Sequence, residues 1–174
     1  VLAVDPGLTR CGFAVVDGGA GHRACLVIAG VIRTSPDQDA ALRLLAVHDG
    51  LSALLGEHLP EVVAVERVFS QHNVRTVMAT AQVAGIALLV AAQAGRQVAM
   101  HTPSEVKAAV TGTGSAGKRE VQLAIARLLG LAEAPKPADA SDAVALALCH
   151  LWRGRSLTRM AAAASLVAGV RPTR

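Results

Sequence analysis

The sequence predicts an α/β fold: a mixed five-stranded sheet flanked by α-helices on both faces. Three observations lead there. Short runs of β-prone apolar residues come first, three close together and then two alternating with longer helical patterns. The fourth run, Glu61–Val68, is apolar on both faces, as in a central strand covered by helices. Acidic residues end the first and fourth runs, Asp5 and Glu66, at the strand ends where open α/β sheets bind ligands.

Each element has its own signal. Val1–Val4 reads as a strand, ended by the turn residues Asp5-Pro6-Gly7. Cys11–Val16 and Ala24–Arg33 read as two more strands around Asp17-Gly18-Gly19, which makes an antiparallel meander of the first three. Ser35-Pro36-Asp37 starts a helix with apolar residues at 44, 47, 51, 54 and 55. Helical character follows from about Asn73 to Ala94, then a short fifth strand at Gln97–His101. Pro103–Val110 and Lys118–Leu129 read as helices around a glycine-rich loop, Ala134–Ala138 as a linker, and Ala140–Trp152 as the last helix. The 174 residues make one ordinary domain over 1–154, followed by an Arg- and Ala-rich tail or frayed helix over 155–174. No internal repeat interrupts this order.

Composition narrows the classes. With 52% hydrophobic residues, the body of the chain has enough apolar material to fold. The formal charge is +4, yet residues 151–174 alone hold five Arg and no acid, so the remaining 150 residues are net −1. If four of those acids neutralise metal ions, the rest of the body becomes net +3, which suits a polyanionic partner. Cys11, Cys25 and Cys149 form no CxxC and no even set, so reduced thiols in a cytoplasmic protein are expected. No signal-peptide pattern precedes the first strand-like segment. Thr76 to Gly95 is a run of 20 residues without charge, long enough for a membrane span. Its Gln82, Gln93, Thr76 and Thr80, and its place between Glu66 and Asp139, favour a buried or subunit-facing helix and no membrane.

The functional signal lies in four acids. Asp5 and Glu66 end strands; Asp139 and Asp142, three apart, share one face at the start of the last helix. Four carboxylates around one point cannot all stay ionised without cations. Oxygen donors of this kind suit Mg²⁺, with Mn²⁺ as a substitute, and the set predicts two-metal phosphodiester chemistry.

Asp5-Pro-Gly with Thr9 and Gly12, Glu66-Arg-Val-Phe69 with Asn73, Val106-Lys107, Gly114-Ser-Ala-Gly-Lys118 and Ala138-Asp-Ala-Ser-Asp-Ala143 occur in this order. Together they resemble the RuvC Holliday-junction resolvases of the RNase H-like superfamily, over roughly residues 1–155. The resemblance implies an RNase H-like fold and structure-selective, Mg²⁺-dependent cleavage of four-way DNA junctions by paired symmetric nicks, with two ions per site. It implies Asp5, Glu66, Asp139 and Asp142 as catalytic metal ligands and Lys118 as a stabiliser of charge on the scissile phosphate. It also implies junction contacts by Lys107 and Lys118, and an aromatic wedge at Phe69. Asn73 and Arg119 join these as DNA-contact candidates. A homodimer, work beside the RuvA and RuvB branch-migration proteins, and a role in recombination and repair follow from the same likeness. Arg67 departs from related sequences, which can carry a neutral residue there, and the chain is expected to start a little late.

Competing signals are weaker. Gly112 to Lys118 satisfies GxGxxG and the GxxxxGK of a P-loop, but Ser104–Val110 before it reads as helix rather than strand, and Arg119 replaces the Ser or Thr a P-loop needs. The six His include no HxxxH or HExxH pair; His72 is expected in solvent and His150 in a structural place. Two rivals share much of the pattern: an RNase H-like nuclease acting on RNA or another DNA structure, and a non-catalytic junction-binding module. The lysine motifs and Phe69 stand against the first, and the full set of four acids against the second.

Overall fold

The computed structural model describes residues 1–18, 23–67 and 74–169, with the side chains of 74–76 and 154–169 outside that description. Five strands form one sheet in the order β3-β2-β1-β4-β5. They are β1 (Leu2–Asp5), β2 (Arg10–Gly18), β3 (Ala24–Arg33), β4 (Val62–Glu66) and β5 (Gln97–His101). The first three pair antiparallel as a meander, while β1, β4 and β5 run parallel, so the sheet is mixed as expected. Among the described residues five helices accompany it: α1 (Ala40–His58), α2 (Val74–Gln93), α3 (Pro103–Thr111), α4 (Lys118–Leu129) and α5 (Ala138–Gly169).

Strand alternation sorts the core into two layers. Leu2, Val4, Val15, Val63 and Val65 point to the side of α1 and α2, where they meet Val47, Leu51, Val83 and Ala87. Ala3, Ala14, Val16 and Ala64 point the other way, against α3, α4 and the start of α5. The second face is mostly alanine, and α5 lies close on it. Gly12 marks the tightest approach: a Cβ there would stand 2.2 Å from the Asp139 carbonyl oxygen.

Most element bounds match those read from sequence, and the differences have local causes. The first helix begins later than Ser35, because Ser35 to Gln38 closes a turn first and the Asp39 side chain then caps Ala41 N–H at 2.8 Å. Strand β4 stops at Glu66, and Val68 lies outside the described residues. Helix α5 starts at Ala138 rather than Ala140, since the Pro137 carbonyl already accepts from Ala140 and Ser141. Asp139 is therefore in the first turn and Asp142 in the next. The same helix continues past Trp152 to Gly169, through an alanine-rich stretch with high helix propensity. Among the described residues no helix is long and apolar enough to cross a membrane, α2 included. Cys11 and Cys149 are buried, Cys25 is exposed, and all three are free thiols.

Gly12→Ala should force backbone apart where α5 meets β2, because the clash is with a carbonyl rather than a flexible side chain. A loss of about 1–3 kcal/mol in chemical denaturation is the expected result.

Candidate active site

Register brings the first two acids together. Leu2, Ala3 and Val4 of β1 pair in parallel with Val63, Ala64 and Val65 of β4, so Asp5 and Glu66 follow side by side at the same sheet end. Asp5 shares strand parity with Ala3, and Glu66 with Ala64, so both carboxylates rise on the face that carries α5. The first two turns of α5 add Asp139 and Asp142 above them.

Asp5, Glu66 and Asp142 line one cavity of about 160 Å³ together with Lys107 and Lys118; Pro103, Val106, Val121 and Ala145 supply its apolar walls. Asp139 stands beside this lining. Its carboxylate is held by Arg10, whose Nε donates to Oδ2 at 2.8 Å and whose Nη2 donates to the same oxygen. Among the described residues no three His, Cys, Asp or Glu side chains are already drawn to ligand spacing. The carboxylates thus surround a space instead of closing on a point.

Burial and mutual repulsion both act on these carboxyls. Asp5 has its pKa pushed up from 3.8 to about 7, first by burial and then by repulsion from Glu66, Asp142 and Asp139, with Lys118 pulling the other way. Burial is also the main cause that raises Glu66, followed by repulsion from Asp142, while Lys107 opposes it. Asp142 is raised by burial, against the pull of Lys118 and Lys107. Oxygen-only donors that repel one another across a small cavity fit a hard dication, whose charge would permit all of them to ionise.

The two lysines arrive by different routes. Lys107 rides on α3, which Thr102 and Glu105 cap reciprocally: Thr102 N–H donates to Glu105 at 2.8 Å and Glu105 N–H to Thr102 Oγ1 at 3.2 Å. That helix ends at Gly112 with φ 86°, a left-handed cap, so the following loop leaves a helix and not a strand. The P-loop reading of Gly112–Lys118 fails on that geometry. Lys118 and Arg119 open α4, where a cation opposes the helix dipole and an anion is favoured. Glu120 offsets part of this by accepting from Gly117 N–H at 2.7 Å. Arg119 does not face the acidic cavity; it lines a separate hollow with Gln122, Leu123 and Lys136. Phe69, Asn73 and His72 lie outside the described residues.

Two features escaped the sequence reading. Arg10 is one, since nothing in Thr9-Arg10-Cys11-Gly12 announces a partner 129 residues away. The other is a half-buried pair beneath the site, His101 Nε2 to His150 Nδ1 at 3.2 Å. Burial lowers the pKa of both, and the neighbouring His101 ring helps push His150 down to about 4. Both shifts favour the neutral ring.

A mixed sheet of this order with helices on both faces and acids at adjoining strand ends is an RNase H-like fold. The family profile described as crossover junction endodeoxyribonuclease RuvC matches residues 1–150. A crossover junction endodeoxyribonuclease RuvC of Saccharopolyspora erythraea is 59% identical over 170 residues, covering 98% of this chain and 85% of that protein. That of Frankia casuarinae is 62% identical over 164 residues, covering 94% and 95%. Among solved structures, Thermus thermophilus RuvC in complex with a Holliday junction substrate superposes with a TM-score of 0.86 at 36% identity, covering 90% of this chain and 95% of that one. The chain belongs to the RuvC family.

The raised carboxyl pKa values give the metal-free protein a definite pH response. Between 3.8 and about 7 the folded chain binds more protons at Asp5 than the unfolded chain does, and the raised Glu66 and Asp142 add to this. Stability should therefore fall as pH rises through that window. Thermal melts of metal-free protein should show it, and Asp5→Asn should flatten the slope while raising the midpoint above pH 7.

Proposed function

We propose that this chain is a structure-selective DNA endonuclease that resolves four-way junctions by paired symmetric nicks, in recombination and repair. The observation that carries the reading is the cavity where Asp5, Glu66 and Asp142 meet Lys107 and Lys118, in a chain of the RuvC family. The likeness to a relative solved on a Holliday junction supports the choice of substrate.

In this reading Asp5, Glu66, Asp139 and Asp142 would hold two Mg²⁺ ions, with Mn²⁺ able to replace them. Such ions, when bound, supply Lewis acidity at the phosphodiester and lower the pKa of the attacking water. The chain's own residues do the rest. Asp5 comes from the central strand β1 and would hold metal from the middle of the acidic set. Lys118, at the positive end of α4, meets the charge that develops on the scissile phosphate. Lys107 sits on the same cavity wall and positions the backbone without reading sequence. The apolar walls Val106 and Val121 limit water at the reacting group. Phe69, Asn73 and Arg119 are the further candidates for junction contacts, with Phe69 as the wedge between base steps.

Paired nicks call for two sites related by one axis, hence a homodimer with an isologous interface. Exposed Met78 and Leu89 of α2 and Leu42 and Leu45 of α1 supply an apolar surface for that second copy. RuvA and RuvB are the proposed partners, the cytoplasm the proposed compartment, and residues 1–154 the proposed nuclease domain, with 155–174 an Arg- and Ala-rich extension.

Cleavage of a mobile four-way junction, against linear duplex and an RNA–DNA hybrid, with Mg²⁺ and with EDTA, tests the reading. Symmetric Mg²⁺-dependent nicks on the junction alone are expected. Cutting of the hybrid would move the protein to the ribonuclease branch, and binding without cutting would leave only a junction-binding module. Asp5→Asn should abolish cleavage and keep junction binding in a gel-shift assay. Lys118→Ala should lower kcat by about 10²-fold, since it removes a charge met mainly in the transition state.

A further inference from the structure

Arg10 and Gly12 act as one seat for the start of α5. Both lie on the α5 face of β2, two residues apart. Gly12 pairs with Asp5 in the sheet and lets the Asp139 backbone come within a distance no Cβ would permit. Arg10 then reaches the side chain of that same Asp139 with two donors, Nε and Nη2, both on Oδ2. Two convergent bonds to one oxygen fix the rotation of a carboxylate. They also leave Oδ1 outside the guanidinium's grip. The contact is partly shielded, with the Arg10 side chain 40% and the Asp139 side chain 28% exposed. Across the sheet Arg10 faces Arg33, a like-charge pairing that costs stability, and Asp139 offsets it.

We propose that Arg10 is a positioning residue for metal binding: it orients the Asp139 carboxylate so that a single oxygen, Oδ1, is presented to a divalent cation. This rests on the metal-nuclease reading above. Ligating carboxylates are commonly fixed by an outer hydrogen-bond partner, and losing that partner weakens the metal even though the ligand remains. The rival physical role has the opposite sign. If Arg10 were only a counter-charge that the cation must displace, its removal would tighten metal binding.

Calorimetric titration of Mn²⁺ into DNA-free protein separates these. The comparison is native chain, Asp5→Asn, Arg10→Gln and Arg10→Lys. Asp5→Asn should lose the binding. Arg10→Gln should raise the Mn²⁺ dissociation constant by about tenfold or more. Arg10→Lys, which keeps the charge with one donor group, should fall between Arg10→Gln and native, and it stands in if Arg10→Gln does not fold. Junction cleavage by the Arg10 variants should recover toward the native kcat as Mn²⁺ is raised, which a general loss of structure would not permit. Unchanged or tighter Mn²⁺ binding in both Arg10 variants, with Asp5→Asn still defective, would overturn the role of Arg10 alone. Absence of Asp5-dependent Mn²⁺ binding in the native chain would overturn the metal reading together with it.

Discussion

Repulsion among carboxylates gathered on one face of the sheet is the constraint around which the rest of the molecule is arranged. Asp5 and Glu66 are fixed by a parallel strand pairing that cannot slip without moving every core residue to the wrong face. Asp139 and Asp142 are fixed by the seating of α5. Each placement is rigid, so the charges cannot relax apart as surface acids would. The protein answers with lysines from two other helices and with an arginine from a neighbouring strand. A charge imbalance remains and, after burial as the larger cause, it helps raise the pKa of Asp5, Glu66 and Asp142.

The rigidity comes from unequal faces of one sheet. The side toward α1 and α2 carries valine and leucine, which fill space and keep those helices at ordinary distance. The opposite side carries Ala3, Gly12, Ala14 and Ala64, so α5 sinks toward the strands. Small residues there are not weak packing. Buried Leu146, Leu148, Val144 and Ile125 from the helices supply the volume the strands leave out.

Much of this could be read from sequence because the signals are local. Apolar runs of strand length, the Asp17-Gly18-Gly19 turn and the apolar spacing of the first helix each reflect a short-range preference, and β3, β5 and α4 came out with the bounds the structure has. Asp5, Glu66, Asp139 and Asp142 were read as a group, the first two as acids at strand ends and the last two as acids three apart at a helix start. Arg10 was not legible, since its purpose depends on a contact across most of the chain. The His101–His150 pair was missed for the same reason: 49 residues separate two rings that only the packing of β5 against α5 brings together. The early start and long run of α5 were missed because prolines mask a helix start, and alanine-rich sequence reads equally well as a tail.

The order in which the acids occur along the chain also matters for biosynthesis. Asp5 and Glu66 can take their places once β1 and β4 pair, but Asp139 and Asp142 enter only with α5. A growing chain folds from its N-terminal end, so for most of its synthesis it carries half of the acidic set. A polypeptide that stops before Ala138 lacks both of those acids and the helix that covers the alanine face of the sheet. Assembly of the full acidic set is thus tied to completion of the fold.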